Sequence, residues 1–538
     1  MILPIQSSLS TTMPTSVQVP YTPPALPTLL ALSAYFILLS FPTLLSSPGS
    51  YTLNPSLTLL LPLFIGTLLG PSITSASIIS EISQRTLIDI GYIGLLLLIF
   101  EAGVALDAAS LRLMRRNACL SLVVAITGVG LPFAFSMALE IQGYGYRALT
   151  AFASGASLSS TSLGTTLALL APSGAIDLKR TRVGCVLVCA ALLDDILGLV
   201  IAGIIPGLAD AGAAIKWQTI VRPIGVSLAF GICTPVLAIC LRRVASRLPP
   251  STRRREVLCA IMVLTLLAFV AGSGYAGTSE LFGAYLAGAL VSHVFTVEDE
   301  GQNPAHAAFC YYLQPILTHF LAPIFFASIG TALPIKAMFT TYPHAVEVVT
   351  TNMQSNSTTT EVISGAASHR VVWRGIIYSI LMVLAKMAVG LWMLIWPASK
   401  RAAPRGLRRI ADTPPDVIDK GQAPPCPLGV DTEAPEISSE PSRVRSALLL
   451  GIAMVARGEI ALIIAQLARP LLIDSHVTSN AVSSIDSAGN TIITVTTPIA
   501  DEEAFAMVIW AVLVSTVVGA LGVGVLLAIW QRRDKRHV

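Results

Sequence analysis

Asp194 and Asp195 stand side by side in an otherwise apolar stretch, 182–208, that is long enough to cross a membrane. An ionised carboxylate at the centre of a membrane helix costs roughly 2.5–3.5 kcal/mol on insertion scales, so two in succession demand a chemical reason. Consecutive helix residues point about 100° apart, so one carboxylate can line a cavity while the other meets a neighbouring helix. Dry burial raises a carboxylate's proton affinity, and a bound cation or a nearby lysine lowers it. A carboxylate poised between those influences can trade a proton for a metal cation near neutral pH.

Three further polar groups fall at comparable depth in their own apolar runs. Lys386 lies close to halfway between Trp373 and Trp396, too deep to snorkel to an interface, and an aspartate of the pair is its natural partner. Ser157, Ser159, Ser160, Thr161 and Ser162 crowd between Gly155 and Gly164, with Thr165 and Thr166 directly after. Helix hydroxyls often bond back to their own backbone. Their density here nonetheless points to an interrupted helix, one that offers carbonyls and hydroxyls to a cation. Arg457 and Glu459, in Met454-Val455-Ala456-Arg457-Gly458-Glu459-Ile460-Ala461, cannot face each other at a spacing of two, so each needs its own partner. A structural ion-pair network and direct transport chemistry both stay open for them. Glu101 is a candidate lining of a cytoplasmic funnel.

The elements that must position these groups are membrane helices. The chain is 54% hydrophobic and only 12% charged, against about 25% charged in soluble domains. A net charge of +4 gives no reason to expect nucleic-acid binding. No P-loop occurs, and Gly519, Gly522 and Gly524 sit inside an apolar run where small residues serve close packing. No enzyme activity, cofactor or metal other than a transported cation is expected. The eight cysteines show no metal-binding spacing and imply no disulfide framework.

Apolar runs give thirteen candidate spans, centred near 37, 62, 96, 128, 159, 195, 230, 264, 286, 324, 385, 456 and 517. The hydroxyl-rich run is the fifth and the Arg457 run the twelfth. An odd separation makes the two antiparallel, as an inverted repeat requires. Arg112, Arg115 and Arg116, then Lys179, Arg180 and Arg182, then Arg242 to Arg255 and the tail Arg532 to Arg536 all fall on one face. The positive-inside rule makes that face cytoplasmic, with the N-terminus outside and the C-terminus inside. The plasma membrane and an internal compartment both remain open as locations. Residues 1–25 read as a short disordered N-terminus, 26–530 as the transmembrane domain, and 531–538 as a cytoplasmic tail. The Pro-rich, charged loop 398–443 reads as disordered. Loops 336–371 and 470–501 fall on the outer face, where Asn356 is a candidate glycosylation acceptor.

Five motifs in this order resemble the monovalent cation/proton antiporter superfamily, specifically its second branch. They are Ser159-Ser160-Thr161-Ser162-Leu163-Gly164, Leu193-Asp194-Asp195, Glu280 to Gly288, Pro323 to Gly330, and Ala456-Arg457-Gly458-Glu459. The resemblance covers about 55–530, and the long loop with the outer acceptor fits a fungal member. It implies an all-α polytopic fold with inverted repeats, a core domain holding two interrupted crossing helices, and a dimerisation domain, hence a homodimer in lipid. It implies that Asp195 carries cation and proton in turn, and that Asp194 pairs with Lys386. In the family that pairing accompanies exchange of two protons per sodium, which is electrogenic. Na⁺, K⁺ and Li⁺ all remain candidate cations. A cation channel, a non-transporting sensor and an ion-coupled organic anion symporter are the alternatives. An anion carrier would need unpaired positive charge in place of two acids and one lysine. Many relatives carry a large cytosolic domain after the last helix, and most have an apolar residue where this chain has Glu101.

Overall fold

The computed structural model describes residues 25–45, 55–70, 81–105, 108–161, 181–210, 216–245, 247, 254–295, 304–333, 335, 346–352, 357–363, 370–396, 442–473, 480–485, 491–498 and 503–534. In lipid a backbone amide finds no water, so a spanning segment must close its own hydrogen bonds, and long apolar runs become helices. They are α1 (Leu26–Leu45), α2 (Pro55–Leu69), α3 (Glu81–Val104), α4 (Ala108–Ala138), α5 (Ala148–Ser159), α6 (Arg182–Asp210), α7 (Trp217–Ala245), α8 (Arg255–Ala276) and α9 (Glu280–Phe295). After them come the bent pair α10 (Pro304–Tyr312) and α11 (Gln314–Thr331), then α12 (Arg370–Val389), α13 (Arg443–Val455), α14 (Glu459–Leu467) and α15 (Glu503–Asp534). Every expected centre falls on a helix except 456, which falls on the break between α13 and α14. Among the described residues eight helical spans are long and apolar enough to cross a membrane, nine when the bent pair is joined.

Helices in lipid gain little from hydrophobic burial against each other, so close backbone contact through small residues holds them. Three pairs do this reciprocally. A Cβ on Gly103 of α3 would sit 2.2 Å from the Tyr285 carbonyl oxygen of α9, and one on Gly288 would sit 2.2 Å from the Phe100 oxygen. Gly66 and Gly330 join α2 to α11 in the same way, as Gly390 and Gly451 join α12 to α13. Gly519 of α15 lies so close to the backbone of Ala456 that a Cβ would come within 2.4 Å of its nitrogen, which matches the packing role read from sequence. Large apolar side chains such as Leu228 and Ile232 of α7 and Leu264 and Leu267 of α8 point outward, as lipid-facing residues do.

Two long segments read as loops contain strands: β1 (Val346–Asn352), β2 (Ser357–Ile363), β3 (Asn480–Ile485) and β4 (Thr491–Pro498). They form one antiparallel sheet in the order β2-β1-β4-β3, with Val346 opposite Pro498. Segments from either side of α12–α14 therefore meet in one sheet. Their β-branched runs, such as Thr491-Ile492-Ile493-Thr494-Val495-Thr496, suit a pleated sheet. Cys310 is disulfide-bonded, which the cysteine spacing did not suggest, while Cys185 and Cys189 are buried and belong to no disulfide.

The expected termini at 1–24 and 535–538, the loop at 398–441, Ser162 and Asn356 lie outside the described residues. Gly288→Val should lower the thermal midpoint of the purified protein, since overpacking typically costs about 1–3 kcal/mol. Gly524→Ala is the control and should cause no loss, because nothing lies within 4 Å of its added Cβ. Differential scanning fluorimetry in detergent measures both.

Candidate functional site

Two helices stop inside the bundle. α5 ends at Ser159, and Ser160 is extended (φ −70°, ψ 153°), so its carbonyl leaves the helical ladder. Between α13 and α14, Ala456 (φ −60°, ψ 124°) and Gly458 (φ −125°, ψ −160°) are extended as well. Each break frees backbone groups that need partners. Arg457 supplies one: its Nη1 donates to the Ser160 oxygen at 2.8 Å, tying the two breaks together. The Arg457 carbonyl in turn accepts from Thr516 Oγ1 of α15 at 3.0 Å. Arg457 is fully buried, and its Nε and Nη2 make no hydrogen bond among the described residues.

Beside these breaks sits Asp194, also fully buried. Its Oδ2 accepts from Thr161 Oγ1 at 2.8 Å and from Lys386 Nζ at 3.0 Å. Lys386, equally buried, also donates to Thr161 Oγ1 at 2.8 Å. Thr161 thus donates once and accepts once, closing a triangle that uses two of the three ammonium hydrogens. The α4 backbone reaches this triangle at Gly128, where a Cβ would stand 3.4 Å from Asp194 Oδ2. Ser157 and Ser159 instead bond back to the carbonyls of Ala153 and Ala156 at 2.8 and 2.7 Å. Of the described hydroxyls predicted for the site, Thr161 alone is seen holding the carboxylate, while Ser160 takes part through its carbonyl.

Asp195 points elsewhere, as the helical rotation requires, and is 6% exposed where Asp194 is 0% exposed. Its charge is felt by the buried hydroxyl of Tyr285 on α9. Farther along α6 a cavity of about 460 Å³ opens between Ala202, Pro206, Arg222, Ser279 and Leu281. Ala202 is seven residues from Asp195, or ~10 Å of helix rise. Tyr92 closes one wall by donating to Glu280 Oε2 at 2.9 Å. Glu101 belongs to a different place: its Oε1 accepts from Gln314 Nε2 at 3.2 Å.

Two acidic groups absent from the sequence reading are well placed. Glu503 receives a 2.7 Å ion pair from Arg374, whose guanidinium stacks 4.8 Å from the Tyr144 ring. Glu140 is wholly buried in a π-helical turn, Leu139–Tyr144, that continues α4. Its position at the edge of an apolar run made it resemble an interfacial residue. Among the described residues no group of three or more His, Cys, Asp or Glu could hold a metal ion.

Residues 36–529 match the family described as sodium/hydrogen exchanger, transmembrane. Over 253 residues the chain is 25% identical to the high-affinity Na(+)/H(+) antiporter NhaS3 of Synechocystis, covering 46% of this chain and 50% of that protein. Over 277 residues it is 26% identical to the chloroplastic K(+) efflux antiporter 3 of Arabidopsis thaliana, covering 48% and 34%. The chain thus matches half or less of the length of these relatives. In fold it is similar to two structures of the sodium proton antiporter MjNhaP1 from Methanocaldococcus jannaschii. Both are 12% identical and cover 93% of this chain and 98% or 97% of theirs, with TM-scores of 0.54 and 0.56.

Stripping one member from a buried ion pair leaves the other charge uncompensated, at a cost of about 3–5 kcal/mol. Lys386→Met should therefore destabilise the protein strongly, and adding Asp194→Asn should recover part of the loss. Thermal unfolding of the two single variants and the double variant measures the coupling. Losses that simply add would contradict a paired charge.

Proposed function

Because the chain belongs to the sodium/hydrogen exchanger, transmembrane family, we propose that it exchanges a monovalent cation, sodium first, for protons by alternating access. The observation that carries the site assignment is the unequal state of the two carboxylates. Asp194 is dry and already held by Lys386 and Thr161, whereas Asp195 points in another direction and is 6% exposed. Asp195 is the shared carrier: a cation and a proton compete for it, so one load crosses at a time. Lys386 adds a second proton when Asp194 turns toward the cation, making the exchange electrogenic at two protons per sodium. Arg457 holds the crossing breaks together, and Glu459 belongs to the same break as a structural charge. Named activities of the relatives, Na(+)/H(+) antiport and K(+) efflux, support the cation class and leave potassium as the second candidate.

The basic loops support a cytoplasmic C-terminus, and the sheet that joins 346–352 to 491–498 supports one common face for those two segments. Residues 26–530 act as one transport unit, assembled as a homodimer in lipid, with residues outside them serving as short tails and 398–443 as a linker.

Proteoliposomes with an imposed pH gradient test this reading. Adding Na⁺ should collapse the gradient and generate a membrane potential. Asp195→Asn should abolish both signals. Where protonation of Asp195 competes with cation binding, the apparent KM for Na⁺ should rise about tenfold for each unit that pH falls. Proton movement that needs no cation, or full activity in Asp195→Asn, would overturn the assignment.

A further inference from the structure

Glu140 is a buried carboxylate that the exchange reaction does not use. Among the described residues no lysine or arginine pairs with it, and neither of its oxygens has a hydrogen-bond partner. It faces the hydroxyls of Ser154 on α5 and Tyr378 on α12, both fully buried. Those two helices and α4 also deliver Thr161, Lys386 and Gly128 to the aspartate site. Tyr378 lies eight residues from Lys386, ~12 Å along α12. The same three helices therefore carry two polar layers, one around Asp194 and one around Glu140.

Hydrogen counting shows what the second layer does. Ser136 Oγ donates to the Pro132 carbonyl at 2.9 Å and lies 2.7 Å from Tyr378 Oη. A serine hydroxyl has one hydrogen, so with that hydrogen on Pro132 the tyrosine must donate to Ser136. Tyr378 Oη is then an acceptor toward Glu140, and a bond between them requires the proton to be on Glu140. If Glu140 loses it, the chain can reverse: Ser136 donates to Tyr378, and Tyr378 donates to the carboxylate. The layer has two hydrogen-bond orientations, one for each charge state, and the otherwise unpartnered Ser154 hydroxyl can follow either. Gln142 and Gly143 of the π-helical turn and the charged Arg147 just beyond it are exposed at the end of the α4 span, so the membrane surface and its protons lie within about two turns of Glu140. π-Helical turns of this kind are frequent at functional sites.

We propose that Glu140 is a second proton-binding site, loaded from the solvent beside the π-helical turn, whose charge tunes cation affinity at the aspartate pair. This rests on the exchanger reading above. The titratable and charged groups around the site are Tyr144 on its own turn, Tyr378 and Arg374 on α12, Glu503 on α15, and Arg457 at the break. Arg374 is committed to Glu503. Arg457 interacts with both Tyr378 and Asp194, so it lies electrically between the layers. At the spacing of the two layers, ~12 Å along α12 and ~18 Å along α4, a unit charge at an effective dielectric near 20 changes cation affinity by roughly five- to tenfold. Deprotonated Glu140 therefore strengthens cation binding as pH rises on its own side, in addition to direct competition at Asp195.

The test is Na⁺-driven exchange in proteoliposomes by wild type and Glu140→Gln, with KM measured across the pH range. The ratio of variant to wild-type KM should be near one at low pH and rise to roughly five- to tenfold at high pH. A ratio that stays constant with pH overturns the proposal, because a merely structural role shifts KM uniformly. If wild type shows no cation-linked transport, the exchanger reading itself fails. Should Glu140→Gln not reconstitute, infrared spectra of wild type and Tyr378→Phe with ¹³C-labelled glutamate decide. A buried protonated-glutamate band that vanishes between neutral and alkaline pH, and shifts in Tyr378→Phe, supports the site. Spectra without such a band, or with one unmoved in Tyr378→Phe, exclude it.

Discussion

The hydrogen bond from Arg457 to the Ser160 carbonyl is the constraint on which the rest of the structure depends. A broken helix inside lipid is unstable unless the groups it frees find partners in the protein. Here one break supplies the partner for the other. Arg457 leaves its own helix at Ala456–Gly458 and satisfies the end of α5, while Thr516 satisfies the carbonyl that Arg457 frees. Gly519 lets α15 come close enough to do so. The two breaks therefore form together, and α5, α13, α14 and α15 should behave as one rigid body.

Fixing the breaks fixes the chemistry beside them. Once α5 turns extended at Ser160, Thr161 reaches Asp194 and Lys386 and closes a dry triangle. That triangle engages one oxygen of Asp194, and the α6 rotation sends Asp195 in a different direction. Adjacent identical side chains thus face different surroundings from geometry alone: one balances a buried ammonium, and the other is the one proposed to meet the load. The neighbouring N-terminus of α14, which opens at Glu459, adds the positive end of a helix dipole to a region that must hold carboxylates.

Much of this was legible in the chain because burying charge in lipid is expensive. Asp194, Asp195, Lys386 and Arg457 stood out for that reason, and their depths matched well enough to pair Lys386 with one of the two aspartates, while the choice of Asp194 came from the resemblance to the antiporter superfamily. The Gly and hydroxyl density around Ser160 marked a break for the same reason. Glu140 escaped notice because it ends an apolar run, where sequence cannot distinguish an interfacial carboxylate from one folded inward by a π-helical turn. Its partners, Ser136, Ser154 and Tyr378, come from three helices whose rotations are set only by packing. The sheet escaped for another reason. Pairing 346–352 with 491–498 is a long-range event that local pattern does not encode. For Glu101, depth suggested a funnel lining, and its bond to Gln314 depends on packing that depth alone does not give.

The central claim is that cation and proton occupy Asp195 in turn. Proton release on cation binding tests it most directly: NaCl is added to the detergent-solubilised protein in weak buffer and the pH is followed, with choline chloride as control. Sodium should release protons, and Asp195→Asn should release none at Asp195. Sodium binding by the wild type without any proton release would contradict the claim.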